Sequence, residues 1–199
     1  MNLKEQLNQL GINTDTGLFL VYGKAGVGKT TFLMELSKNA NGKILIVDAE
    51  DGFSINRFKQ INPERKLEDV IVIKPKDFEE QTKIISKILN NEKLFSFIGI
   101  DTIGKLYREE RRKDRTRADN EIARQMRVIK EISRKKPVIV CNQVYQNITE
   151  NKVEPVGKNY VTKWCDHVIL LDEVNEKRTM KTTNENKKEF KLNENGFIF

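Results

Sequence analysis

Apolar residues fall along this chain in short runs separated by longer stretches with helical spacing. Leu18–Tyr22, Ile44–Val47, Val70–Ile73, Phe95–Ile100, Val138–Cys141 and Val168–Leu171 have the length and β-branched content of buried strands. Between them, Lys29 to about Asn39, Phe53–Gln60, Asp77–Leu89 and Thr116–Arg134 read as helices. Phe78, Ile84, Ile85, Ile88 and Leu89 line one face of the third, and Ile122, Met126, Ile129 and Ile132 one face of the fourth. Ser54 and Asp77 stand where N-caps belong, their short side chains placed to accept from the first free N–H groups. Strands alternating with helices argue for βαβ units, hence an α/β fold with a mostly parallel central sheet and helices on both faces. The C-terminal end differs. Arg178–Thr182 and Glu189–Leu192 flank the turn-prone Asn184-Glu185-Asn186, and Asn195-Gly196 precedes Phe197-Ile198-Phe199, which predicts an antiparallel hairpin closing one sheet edge. At the other end Leu3, Leu7 and Leu10 predict a short amphipathic helix that docks on the domain or on a partner. The polar stretches Tyr107–Arg117 and Tyr145–Gly157 are expected to be loops. No linker divides the chain, so residues 1–199 are expected to form one domain.

Composition narrows the class. With 38% hydrophobic and 33% charged residues, no apolar stretch approaches the roughly 20 residues needed to span a bilayer, so no membrane association is expected. The first fifteen residues lack the apolar core of a secretory signal. Cys141 and Cys165 lie in apolar, strand-like contexts without a CxxC, as free thiols of a cytoplasmic protein would. One histidine, His167, leaves a zinc site short of ligands. The net charge of +7 is compatible with a polyanionic partner without showing one. Its densest part is Lys105–Arg117, with seven cationic against three acidic side chains.

The residues 23–30, Gly-Lys-Ala-Gly-Val-Gly-Lys-Thr, match G-x-x-x-x-G-K-[ST] between an expected strand and an expected helix. Glycines at 23, 26 and 28 let backbone N–H groups turn inward around a phosphate, and the helix adds its positive N-terminus. Gly23, Lys24, Ala25, Gly26, Val27, Gly28, Lys29, Thr30 and Thr31 are therefore the candidate binding loop for ATP with Mg²⁺. Lys29 is placed to reach the β- and γ-phosphates and the Thr30 hydroxyl to ligate the metal. Asp101, at the end of a strand, is the second candidate for the metal shell. Glu50 follows another strand and so faces the same rim, where a carboxylate can deprotonate an attacking water; Asp48 and Asp51 compete for that role. Asn142-Gln143 follows a third strand, and its amides either contact the γ-phosphate or satisfy a turn. The basic run offers Arg108, Arg111, Arg112, Lys113, Arg115 and Arg117 to nucleic-acid phosphates, with Tyr107 and Tyr145 for stacking; the alternative is a solvated charged loop.

Taken together, these blocks resemble the RecA-fold recombinases, specifically the archaeal RadB group. The resemblance spans nearly the whole chain, in residues 22–30, 47–53, 100–108, 141–145 and 154–164. It implies a RecA-like P-loop core in which Glu50 activates water, Asp101 is the Walker B aspartate and Gln143 senses the γ-phosphate. It further implies that Tyr107–Arg117 and Tyr145 to about Lys152 are the two DNA-binding loops, with Lys152 joining the DNA-binding set. Against the full recombinases, residues 1–17 appear as a short helical or extended segment with no Phe-bearing polymerisation motif and no separate N-terminal DNA-binding domain. The second loop lacks the glycine-rich stretch of strand-exchange enzymes. The expected function is thus a weakly hydrolysing, DNA-modulated ATPase. It would bind DNA without sequence preference, single strands favoured, and assist a full-length RecA-family recombinase in recombination and repair, with self-association open. The alternatives are an autonomous strand-exchange motor, and a KaiC-like regulator or kinase that does not bind nucleic acid.

Overall fold

The computed structural model describes residues 1–147, 152–183 and 186–199, the side chains of Gln146, Asn147 and Lys152 excepted. In chain order the elements are α1 (Leu3–Gln9), β1 (Gly17–Tyr22), α2 (Lys29–Leu36), β2 (Ile44–Asp48), α3 (Ile55–Ile61), β3 (Val70–Ile73), α4 (Phe78–Asn90), β4 (Phe97–Asp101), α5 (Gly104–Arg111) and α6 (Arg115–Ser133). They continue with β5 (Pro137–Asn142), β6 (Val144–Asn147), β7 (Lys152–Pro155), α7 (Lys158–Val161), β8 (His167–Val174), β9 (Lys177–Thr182), β10 (Lys187–Asn193) and β11 (Gly196–Ile198).

Nine strands form one sheet in the order β11-β10-β9-β8-β1-β5-β4-β2-β3. From β8 to β3 every neighbour is parallel, while β9, β10 and β11 join antiparallel through short connections. The central strands are buried on both faces, which is why they read as continuous apolar runs and not as alternating ones. Phe19, Val21, Ile44, Ile46, Ile139 and Cys141 pack on one side with α1, α2 and α3. Leu18, Leu20, Leu45, Val47, Val138 and Val140 pack on the other with α4, α5 and α6. Ser54 and Asp77 cap α3 and α4, accepting from the N–H groups of Arg57 and Glu80.

The N-terminal helix docks on the body of the fold. Asn2 and Glu5 close a capping box, and Leu3 and Leu7 are fully buried. Buried Glu35, on α2, then accepts from Leu3 N at 3.0 Å and Phe197 N at 2.7 Å, so one carboxylate ties the first helix to the last strand.

Two expectations are corrected. Tyr107–Arg117 is no loop: it spans the end of α5, a short turn and the first residues of α6, with Asp114 capping α6 through the Arg117 N–H. Ile103, Leu106 and Tyr107 are buried at helical spacing while the charged side chains face out, so a narrow apolar stripe organises a segment that looks polar on average. Tyr107 is therefore unavailable for stacking on a ligand. The second stretch is also ordered in part, as an antiparallel hairpin in which Val144 faces Pro155 and Asn147 faces Lys152. Residues 148–151, the tip of the expected second loop, and Asn184-Glu185 of the expected C-terminal turn lie outside the described residues, as does the Lys152 side chain. Among the described residues no helix is long and apolar enough to cross a membrane.

Candidate nucleotide site

The parallel strands β1, β2, β4 and β5 all end at one rim, and the loops that follow them carry the candidate residues. After β1 the chain turns through residues 23–28 into α2. Gly28 caps that helix at φ +111°, a backbone conformation that a side chain would strain. A Cβ on Gly23 would sit 2.2 Å from the Leu171 carbonyl, so the loop packs directly on β8. Val27 is buried beneath the loop, while Lys24, Ala25 and Gly26 form its open lip and Thr31 is half-buried in α2. Lys29 folds back over the loop, its Nζ donating to the carbonyls of Gly23 (3.1 Å) and Lys24 (2.8 Å).

The rim is closed by side chains from separate strands. Thr30 Oγ1 donates to Asp101 Oδ2 at 2.5 Å. Glu50 Oε1 accepts from Thr102 Oγ1 at 3.0 Å and from Gln143 Nε2 at 2.5 Å. Main-chain bonds hold these loops in place: Asp101 O accepts from the N–H groups of Ala49 (2.7 Å) and Glu50 (3.3 Å), and Lys105 Nζ donates to Ala49 O at 2.9 Å. The competitors of Glu50 are committed elsewhere. Asp48 accepts from the N–H groups of Gly52 and Phe53, holding its own loop, and exposed Asp51 pairs with Lys74.

Asp101 is a carboxylate under electrostatic tension at the rim. Burial pushes its carboxyl up to about 6; the Thr30 hydrogen bond opposes this, the nearby Glu50 charge adds to it and Lys29 again opposes it. A cation between Thr30 and Asp101 would relieve that tension. Hydroxyl and carboxylate oxygens are the hard donors that Mg²⁺ takes. Among the described residues no group of three or more His, Cys, Asp or Glu is arranged to hold a metal alone. A cation here must therefore draw most ligands from phosphates and water, which is how Mg²⁺ sits on a nucleotide. Buried Cys141 has its thiol pushed far up by burial first and by Asp101 next, so it is an inert part of the core.

Beyond β5 the rim leads to the basic face. Asn142 Nδ2 donates to Val156 O at 2.8 Å, its Oδ1 accepts from the Gln143 N–H, and Gln143 O accepts from the Val156 N–H at 3.0 Å. The root of the β6–β7 hairpin is thus clamped to the residue that touches Glu50. Arg108, Arg111, Arg112, Lys113, Arg115 and Arg117 are all exposed on α5, α6 and the turn between them. Arg117 is spread between Glu79 and Glu110 at 3.8 and 3.6 Å, and Lys113 lies 3.8 Å from Glu110. Arg108 and Arg112 have no acidic partner among the described residues. Tyr145, on β6, is 44% exposed, its hydroxyl donating to Glu154. Asp119, on α6, accepts from Tyr107 and Arg111 of α5 and from Tyr160 of α7. Burial raises its carboxyl, but these donors and the Arg111 charge outweigh that and hold it below the usual carboxylate range.

The candidate loop residues, Glu50, Asp101 and Gln143 are therefore brought to one rim, and the basic residues gather on the adjoining face. Sequence reasoning missed Thr102, Asp119 and Tyr160. Thr102 directly follows the candidate metal-shell residue Asp101, and Asp119 is an acid four residues after Arg115, just beyond the most basic segment; both signals were present but local.

Comparison with known proteins decides the family. A family model described as an AAA domain matches residues 18–191. The DNA repair and recombination protein RadB of Pyrococcus abyssi is 37% identical over 161 residues, covering 75% of this chain and 68% of that protein. The chain is an AAA-domain protein of the RadB family. The RadB of Methanococcus maripaludis is 33% identical over 171 residues, covering 80% of this chain and 78% of that protein. A crystal structure of the RadB recombinase superposes with a TM-score of 0.83 at 29% identity, covering 98% of this chain and 96% of that one. The RecA-like α/β fold expected from the motif blocks is thereby borne out, and a RadB-family core of this kind is a nucleotide-binding fold.

Proposed function

We propose that this RadB-family chain binds ATP with Mg²⁺ at Gly23–Thr31 and Asp101, turns it over slowly, and uses the bound nucleotide to set its grip on DNA in recombination and repair. The observation that carries the reading is the Glu50 carboxylate, which joins Thr102, at the entry to basic helix α5, to Gln143, at the root of the hairpin. The candidate water-activating group is thus linked both to the entry of a basic helix and to the root of the hairpin. Named relatives in DNA repair and recombination support the process.

In this reading the loop N–H groups and Lys29 hold the phosphates, Lys29 exchanging its carbonyl partners for phosphate oxygens. Mg²⁺, when bound, neutralises charge on the phosphate chain beside Thr30 and Asp101. Glu50 orients and deprotonates the attacking water through Oε2, while Oε1 stays with Thr102 and Gln143. Nucleotide state then shifts the loops, because a Glu50 engaged with water and phosphate readjusts to its two partners. The hairpin segment 144–155 contains no glycine, which favours an accessory of a full-length recombinase over an independent strand-exchange motor.

The test is the size and DNA affinity of the purified protein with a non-hydrolysable ATP analogue, with single-stranded DNA, with both and with neither. The reading expects analogue-dependent affinity without long filaments. Long nucleotide-dependent filaments would favour the motor. Equal DNA binding with and without analogue, together with indifference to an added recombinase, would sink the accessory role. No DNA binding under any condition would return the chain to the regulator reading.

A further inference from the structure

The phosphate loop carries glycine at 23, 26 and 28, so its shape must be held by what packs against it. Its two ends are pinned and its middle is open. At the first end, a Cβ on Gly23 would run into the Leu171 carbonyl of β8. At the other, a Cβ on Gly28 would lie 2.9 Å from Leu192 Cδ1 and 3.5 Å from Phe197 Cζ. Between them, a Cβ on Gly26 would meet nothing within 4 Å among the described residues. Leu192 of β10 and Phe197 of β11 face each other across the C-terminal hairpin. That hairpin is the back wall of the glycine from which α2 starts.

The wall is fastened to the helix it supports. Glu35 of α2 accepts from the Phe197 N–H at 2.7 Å. Gly196, at φ +116°, lets β11 come so close that a Cβ there would collide with Glu35 Oε2. Lys38, just beyond α2, donates to Asn195 O at 3.1 Å. Arg57 of α3 donates to Asn193 O at 2.7 Å and to Glu194 O at 2.9 Å. Three successive turn carbonyls are thus taken up by the helices that follow the phosphate loop and the Glu50 loop. Phe197 also meets Phe32 of α2 edge-on, with ring centroids 5.8 Å apart. It is buried, while its neighbour Ile198 points out.

We propose that Leu192 and Phe197 are positioning residues for nucleotide binding, holding the Gly28 end of the loop in the conformation that receives phosphate. The inference rests on the ATP reading above and deepens it. Gly28, at φ +111°, is free to adopt other backbone conformations as readily as this one. A site that is competent only part of the time binds with its affinity reduced by that fraction. Apolar side chains packed on the glycine remove the alternatives without competing for the phosphate. The Leu192 side chain has no polar atom to offer a nucleotide, so its influence on binding passes through the shape of the loop.

The test separates this role from a share in the core. A non-hydrolysable ATP analogue with Mg²⁺ is titrated calorimetrically, well below the melting transition, into wild type, Leu192→Ala, Leu192→Met and Leu7→Ala. Leu7 of α1 is a fully buried leucine in the same apolar cluster and serves as the matched control. If the hairpin only adds to the core, Leu192→Ala and Leu7→Ala both melt lower and both keep wild-type affinity while folded. We expect instead that Leu192→Ala weakens the analogue roughly tenfold, the loss that follows when the loop is competent about a tenth of the time. Leu7→Ala should leave affinity unchanged, and Leu192→Met, which conserves volume, should recover most of it. Should Leu192→Ala prove unfolded, Leu192→Val, one methylene shorter, decides in its place, with a several-fold loss expected. Wild-type affinity in the folded Ala or Val variant overturns the proposal. So does an equal loss in Leu7→Ala, or a Leu192→Met as weak as Leu192→Ala. Wild type that binds no analogue removes the ATP reading itself, and the proposal with it.

Discussion

At the phosphate loop, each charged group is tied to neutral polar partners at the ends of the strands: Asp101 to Thr30, Glu50 to Gln143 and Thr102, Lys29 to the loop carbonyls. On the adjoining face, α5 and α6 send arginines into solvent, and among the described residues only Asp119 gathers several of them together. The difference follows from dielectric. At the buried rim an unpaired charge is costly, so each group is held by a partner that a ligand must displace. At the surface, ion pairs contribute roughly 0–1 kcal/mol, so cations can be left ready for a polyanion at little cost in stability. In the proposed reading, chemistry and coupling therefore belong to the rim, and affinity without sequence preference to the face.

The largest expected effect separates the two regions by chemistry. Glu50→Gln retains an amide oxygen able to accept from Thr102 and Gln143 but cannot take a proton. ATP binding and nucleotide-free DNA binding should persist while turnover falls about 10²–10⁴-fold in a phosphate-release assay. Retained turnover would move the base away from Glu50. Next, Lys29→Ala removes the side chain that folds over the loop, and nucleotide affinity by calorimetry should fall roughly 100-fold or more, with DNA binding in the absence of nucleotide intact. A parallel loss of DNA binding would break the separation.

Asp101 gives a third test, of stability against function. Its folded pKa of about 6 lies above the ordinary value of 3.8, so the native state holds the proton more tightly than the unfolded chain. The metal-free protein should lose stability as pH rises from about 4 to about 6, and carry the full penalty above that range. Asp101→Asn abolishes the penalty, worth about 2–3 kcal/mol near neutral pH. The variant should melt higher than wild type without ligand, yet gain nothing from Mg²⁺ with nucleotide. A lower melting temperature than wild type would contradict the assigned cause. The smallest effect is expected for Gln143→Ala, which cuts the link between the regions. Each ligand should still bind alone, but the change in DNA affinity on adding ATP analogue, expected to be on the order of fivefold or more, should vanish.

Much of the fold was legible because its signals are local. Apolar runs of strand length, the caps Ser54 and Asp77, and the glycine loop before Lys29 each act within a few residues. The basic helix was misread because Ile103, Leu106 and Tyr107 form a stripe too narrow to outweigh the charges around them. The hairpin was missed because β6 and β7 are short, polar strands that take their pairing from each other and not from the core.

By itself, then, the sequence determined the alternation of strands and helices, the phosphate loop, and the placement of Glu50, Asp101 and Gln143 at strand ends. A parallel sheet must bring strand ends to one rim, so that much follows from pattern alone. Only the tertiary structure decided which carboxylate is free to act, with Asp48 and Asp51 held by their own surroundings and Glu50 shared between Thr102 and Gln143. It also decided that Asp119 organises the arginines around it. Both depend on side chains from distant segments meeting at hydrogen-bond distance, which spacing along the chain does not encode.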